Sequence, residues 1–112
     1  MDVFYYEVGK PPIVLSILER VEDVRHIVGG KHKLVPLANG CVIVCHHKQP
    51  VGKPRSREVN RVVSLPNMYD GNMVGVKHCS ICGNFFVCTV SDGKLNDLPY
   101  NKISEVKALC GK

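Results

Sequence analysis

The segment His78-Cys79-Ser80-Ile81-Cys82-Gly83-Asn84 holds a pattern that could do chemistry: two cysteines separated by two residues and followed by glycine. In a tight turn, two such thiolates reach one zinc ion, and the glycine lets the backbone curl so that amides point at sulfur. A structural site needs four ligands. The other candidates are Cys41, Cys45, His46, His47, His78 and Cys88, and none repeats the paired spacing. In an extended segment Cys79 and Cys82 lie an odd number of positions apart and point to opposite faces. Residues 84–88, Asn-Phe-Phe-Val-Cys, read as a strand that begins before Gly83, so the cysteines are expected to be buried thiols, with no metal and no other cofactor. Zinc is the alternative.

The remaining patterns carry less chemistry. His46 and His47 follow Cys45, but neighbours on a strand face opposite ways and cannot hydrogen-bond as nucleophile and base must. No glycine-flanked serine elbow, phosphate loop or His-Glu-x-x-His helix occurs. Glu19, Glu22 and Asp23 fall on the polar face of an amphipathic segment, where they are solvated. The chain is therefore expected not to be an enzyme. Tyr5, Tyr6, Phe85 and Phe86 sit in strand-like segments and could stack on bases, although successive residues alternate faces and core packing is the expected use.

Charge is distributed unevenly along the 112 residues, whose formal net charge is +5. Residues 1–27 are net −2, whereas Lys31, Lys33, Lys48, Lys53, Arg55, Arg57 and Arg61 stand against Glu58 alone over residues 28–64. A concentrated positive stretch attracts phosphates or an acidic partner. Lys48, Lys53, Arg55, Arg57 and Arg61 are the expected partner-binding residues. The longest apolar run is Cys41-Val42-Ile43-Val44-Cys45, far short of a membrane span. The first residues lack a basic leader and an apolar run, so a cytoplasmic, reducing location is expected, with thiols in place of disulfides.

These residues need a frame. Val3 to Val8 and Ile13 to Ile17 read as a pair of strands separated by Gly9-Lys10-Pro11-Pro12. Leu18, Val21, Val24 and Ile27/Val28 recur at helical spacing, with Ser16 and Glu19 set as a capping box and Gly29-Gly30 as the stop. Lys33 to Leu37 and Cys41 to Cys45 flank the turn Ala38-Asn39-Gly40, and Cys41 to Cys45, apolar throughout, reads as a central strand. His46 to Arg61 reads as a long basic loop. Val59 to Leu65 and Met73 to Val76 read as short strands divided by Pro66 and the Asp70-Gly71 turn, and Asn84 to Val90 as a further strand. Pro99 opens a last helix that ends near Leu109. The expected fold is a single α+β domain over residues 1–112, a mainly antiparallel sheet with one internal helix and one C-terminal helix.

Several of these segments, in order, resemble a known family. Val8-Gly9-Lys10-Pro11-Pro12, Ile27-Val28-Gly29-Gly30, the run from Leu34 to Cys45 and Gly83-Asn84-Phe85-Phe86-Val87-Cys88 look like family 3846 of the domains of unknown function, small proteins of bacteria, phages and conjugative elements. The resemblance implies no activity and no functional residues. It does imply that Cys79 and Cys82 replace apolar strand residues. It also implies a phage or mobile-element accessory protein that binds a host protein or nucleoprotein, with interference in host defence as one outcome. Two alternatives are a zinc-supported nucleic-acid-binding protein and a binder of a small ligand such as a nucleotide.

Overall fold

The computed structural model describes residues 1–49 and 58–112. Strand β1 (Asp2–Tyr6) pairs antiparallel with β2 (Ile13–Ser16), and helix α1 (Val21–Val28) follows. The helix ends where expected: Gly29 takes a φ of +84° and its N–H bonds to the Arg25 carbonyl. Its start is a correction. Ser16 belongs to β2 and gives its hydroxyl to the Asp2 carboxylate, so no capping box forms, and Arg20 stands at the N-cap without a side-chain bond. The strand register claims Ser16 before the helix can.

Next come β3 (His32–Pro36) and β4 (Cys41–His46), joined through Asn39 at φ +60° and Gly40 at φ +78°, the left-handed pair that an Asn-Gly hairpin turn requires. Beyond residue 57 the chain forms β5 (Val59–Tyr69), β6 (Asn72–Cys82), β7 (Phe85–Ser91) and β8 (Lys94–Asn96). A 3-10 turn (Tyr100–Lys102) after Pro99 leads into α2 (Ile103–Cys110). No helix among the described residues is long and apolar enough to cross a membrane.

Two expectations are revised in this half. The short strands around Asp70-Gly71 are the ends of one hairpin with arms of 11 residues each, and Pro66 is accommodated inside β5. The segment before Gly83 is strand, but it belongs to β6; Gly83, at φ +76°, separates it from β7.

One sheet runs β2-β1-β7-β4-β3, with β8 also on β7, and every pairing is antiparallel. The middle position goes to β7, with β4 interior beside it. Both strands are apolar on both faces because both faces are covered. On one face Val3, Val44, Phe86 and Cys88 pack under Val24 and Val28 of α1. On the other Phe4, Tyr6, Ile43, Phe85 and Val87 pack against Val63, Leu65 and Ile81 of the β5–β6 hairpin and Val106 and Cys110 of α2. The fold is thus α+β, three layers deep, with one internal and one C-terminal helix.

Tyr6 joins the layers. Its ring stacks on Phe85 at 4.8 Å, and its hydroxyl donates to the Gly111 carbonyl at 2.7 Å. A register shift between Val59 and Arg61 leaves Asn60 as an extra residue in β5 and turns its amide inward. That amide donates to the carbonyls of Tyr6 at 2.8 Å and Gly83 at 3.0 Å. Asn60→Ala strands both acceptors, and a loss of about 1–3 kcal/mol is expected by urea unfolding, with Asn60→Asp no better because a carboxylate cannot donate.

A second prediction comes from β3. The Nδ1 of His32 is enclosed without a hydrogen-bond partner among the described residues, and burial, reinforced by the Arg25 charge, lowers its pKa. The unfolded chain therefore takes up this proton first. The contribution is complete above the ordinary histidine value of about 6.5 and is lost as pH falls through the lowered folded value. Unfolding midpoints measured from pH 8 to pH 5 should fall less steeply for His32→Gln than for the parent chain; parallel curves would count against the assignment.

Candidate partner-binding site

The basic stretch leaves β4 and returns to β5 at one point on the frame. Gln49 donates its amide to the carbonyls of His46 and Cys82, each at 3.1 Å, and its Oε1 accepts the Cys82 N–H at 2.8 Å. The Glu58 carbonyl accepts the N–H of Gly83 at 2.9 Å. Cys82 and Gly83 are adjacent, so both flanks of the stretch are tied to the short link between β6 and β7.

Of the five cations expected to bind a partner, Lys53, Arg55 and Arg57 lie outside the described residues. Lys48 is exposed, and its N–H donates to Nδ1 of the buried His46 at 3.0 Å. The same imidazole closes on Gly30, where a Cβ would lie 2.8 Å from Nε2. Arg61 is engaged inside the molecule. Its guanidinium donates to the Asn60 carbonyl and Oδ1, each at 2.9 Å, and to the Lys10 carbonyl at 2.8 Å, and lies 5.3 Å from the Tyr6 ring centroid. A cation stacked on an aromatic face and saturated with carbonyls acts as a structural tie.

Beside this junction is an open cleft of about 390 Å³, lined by Val8, His26, Ile27, Gly29, Glu58 and Asn84 among others. Asn84 closes one wall by accepting the Val8 N–H at 2.9 Å. Three of the segments that carry the family resemblance meet here, from the first strand pair, the end of α1 and the start of β7. Glu58 and the C-terminal end of α1 both give the cleft negative character, which opposes a phosphate group.

The thiols serve packing. Cys79 and Cys82 lie on the regular strand β6, so their odd separation turns them to opposite faces. Burial raises the pKa of Cys45 to about 11 and those of Cys88 and Cys110 to about 12, and Cys41 is raised as well. Such groups stay protonated and unreactive. Among the described residues, no group of three or more His, Cys, Asp or Glu side chains is disposed to hold a metal ion.

The sequence reading missed one pair. Ser64 Oγ lies 3.2 Å from His78 Nδ1 across β5 and β6, the spacing of a nucleophile and its base. It stands on the outer face of the hairpin, where water competes for both groups. The Asp70-Gly71 turn is the signal for this pairing, but Tyr69 opposite Asn72 extrapolates to Ser64 opposite Lys77. A bulge opposite Asn67, with Gly75 at φ +127°, advances the register by one residue.

The aromatic side chains weighed as base-stacking groups divide in the same way. Tyr6, Phe85 and Phe86 are fully buried, and Tyr5 is half-buried beside the second core cluster. No curated protein and no solved structure matches the chain. The family described as Domain of unknown function (DUF3846) matches residues 1–111, nearly the full length and every element described above. The chain belongs to the DUF3846 family.

Proposed function

We propose that this chain is a non-catalytic binding protein, an accessory of a phage or mobile element that holds a host protein or nucleoprotein through the basic stretch from Lys48 to Arg57, with Arg61 held as an internal tie. The observation that carries the reading is the double anchorage of that stretch, by Gln49 on Cys82 and by Glu58 on Gly83. Recognition segments are commonly loops whose ends are fixed by a rigid scaffold, because the frame then absorbs none of the ordering cost. Its charge supplies attraction to an acidic or phosphate-bearing surface. The setting that the family resemblance implies makes a host component the target, and a defence system is one such component.

The absence of chemistry in this reading is supported by the raised, buried thiols and by a Ser64–His78 pair open to solvent. Two experiments test it. Reversing Arg55 and Arg57 to Glu should abolish capture of the host partner while the circular dichroism spectrum and melting temperature stay unchanged; undiminished capture removes the stretch from the contact surface. Alkylation of the native chain with iodoacetamide should modify the half-buried Cys79 first and leave Cys45, Cys88 and Cys110 intact until unfolding. Early labelling of any of those three would mark a reactive thiol and oppose a purely packing role.

A further inference from the structure

The cleft beside the basic stretch carries a chemistry opposite to that of the stretch. Val8, Ile27 and Val28 line it with apolar carbon, and Glu58 contributes a carboxylate. No lysine or arginine is among the described residues that line it, although the chain has 15. The end of α1 adds to the carboxylate. The N–H groups of Gly29 and Gly30 both turn to the Arg25 carbonyl, each at 2.9 Å, so among the described residues the carbonyls of His26, Ile27 and Val28 accept no backbone N–H. Their dipoles make this end of the helix negative, on the cleft that Glu58 also lines.

We infer that this cleft receives the side chain of a lysine on the host partner, with its ammonium toward Glu58 and the end of α1 and its stem against Val8 and Ile27. The inference rests on the reading that the basic stretch holds such a partner. An ammonium is all donor and no acceptor, which suits a carboxylate beside carbonyls that lack N–H partners. A metal ion is the poorer occupant. No group of three or more His, Cys, Asp or Glu among the described residues is disposed to hold one, and a cleft of about 390 Å³ dwarfs an ion. A free metabolite is largely enclosed in its site, whereas this cleft is open, so its ligand arrives attached to something larger. The apolar wall favours an aliphatic stem, since long cationic side chains lay their methylenes on carbon and keep the charge at a polar end.

Position ties the cleft to the partner. Glu58 directly follows the basic stretch, its carbonyl accepts the Gly83 N–H at 2.9 Å, and both residues line the cleft. A partner lying on the stretch meets cations and, beside them, an acidic recess. It must therefore present an anionic surface with a lysine next to it. That requirement is a specificity device, because a surface of phosphates alone is repelled at the recess.

The cleft can be tested without the partner. The probe is lysine blocked at both ends, N-acetyl-lysine N-methylamide, titrated at low ionic strength into the isotope-labelled full chain and read by the amide shifts of Gly29, Gly83 and Asn84. These should move and saturate at millimolar probe, and the norleucine analogue, which lacks the ammonium, should leave them in place. Glu58→Gln should weaken the response several-fold and Glu58→Lys should abolish it, while the bond to Gly83 persists in both because it uses the main-chain carbonyl. Glu58→Lys should also lower host capture several-fold with the basic stretch intact. An unmoved parent spectrum, an equal response to the norleucine analogue, or an undiminished response or capture in a folded Glu58→Lys chain overturns the inference. So does binding of spermidine where the lysine probe is silent, which would assign the cleft to a free polyamine. The Arg55→Glu, Arg57→Glu chain should still answer the probe. Failure of the basic-stretch reading thus shows as undiminished capture by that chain, and failure of the cleft as a silent probe in the parent.

Discussion

One carboxamide holds the layers of this protein in register. Asn60 reaches the carbonyls of Tyr6 and Gly83, so a residue of the hairpin is bonded at once to the end of β1 and to the entry of β7. An unpaired carbonyl in that position would cost more than a typical hydrogen bond contributes, which makes the bridge an obligation of the fold. Arg61 extends it by donating to Asn60 itself and lying against the Tyr6 ring. The extra residue in β5 is what makes this possible, because a regular strand would present the next side chain to the other face.

Around that bridge the apolar side chains divide by parity. Phe4 and Tyr6 face the hairpin while Val3 faces α1, and Phe85 and Phe86 part in the same way. The cysteines follow the same rule and occupy positions where a small apolar residue is needed, which accounts for six thiols without a bond between them. Reactivity requires a thiolate, and burial disfavours it at Cys41, Cys45, Cys88 and Cys110.

The fold class was legible because its signals are local. The Asn39-Gly40 turn, the Gly29 stop and the helical spacing from Val21 to Val28 each report on a few neighbouring residues, and the fold honours them. The capping box failed because Ser16 has a competing bond to Asp2, which only the β1–β2 register creates. The Ser64–His78 pair was illegible for a related reason. It depends on one bulge at Gly75, and nothing in a single sequence fixes where a hairpin shifts register. The anchors of the basic stretch are likewise long-range: Gln49 and Cys82 are 33 positions apart, and neither residue type announces the bond.

The close approach of Gly30 to the ring of His46 adds a side-chain contact beside the backbone bond from the His47 N–H to the Lys31 carbonyl, and the two together join the end of the first helix to the end of β4. The imidazole is wedged between the backbone just beyond the first helix and the N–H of Lys48. A single methyl group added at position 30 would therefore act as a lever. It would drive the ring from its seat, release the amide that leads into the positively charged segment, and carry a disturbance from one layer to the exit of another.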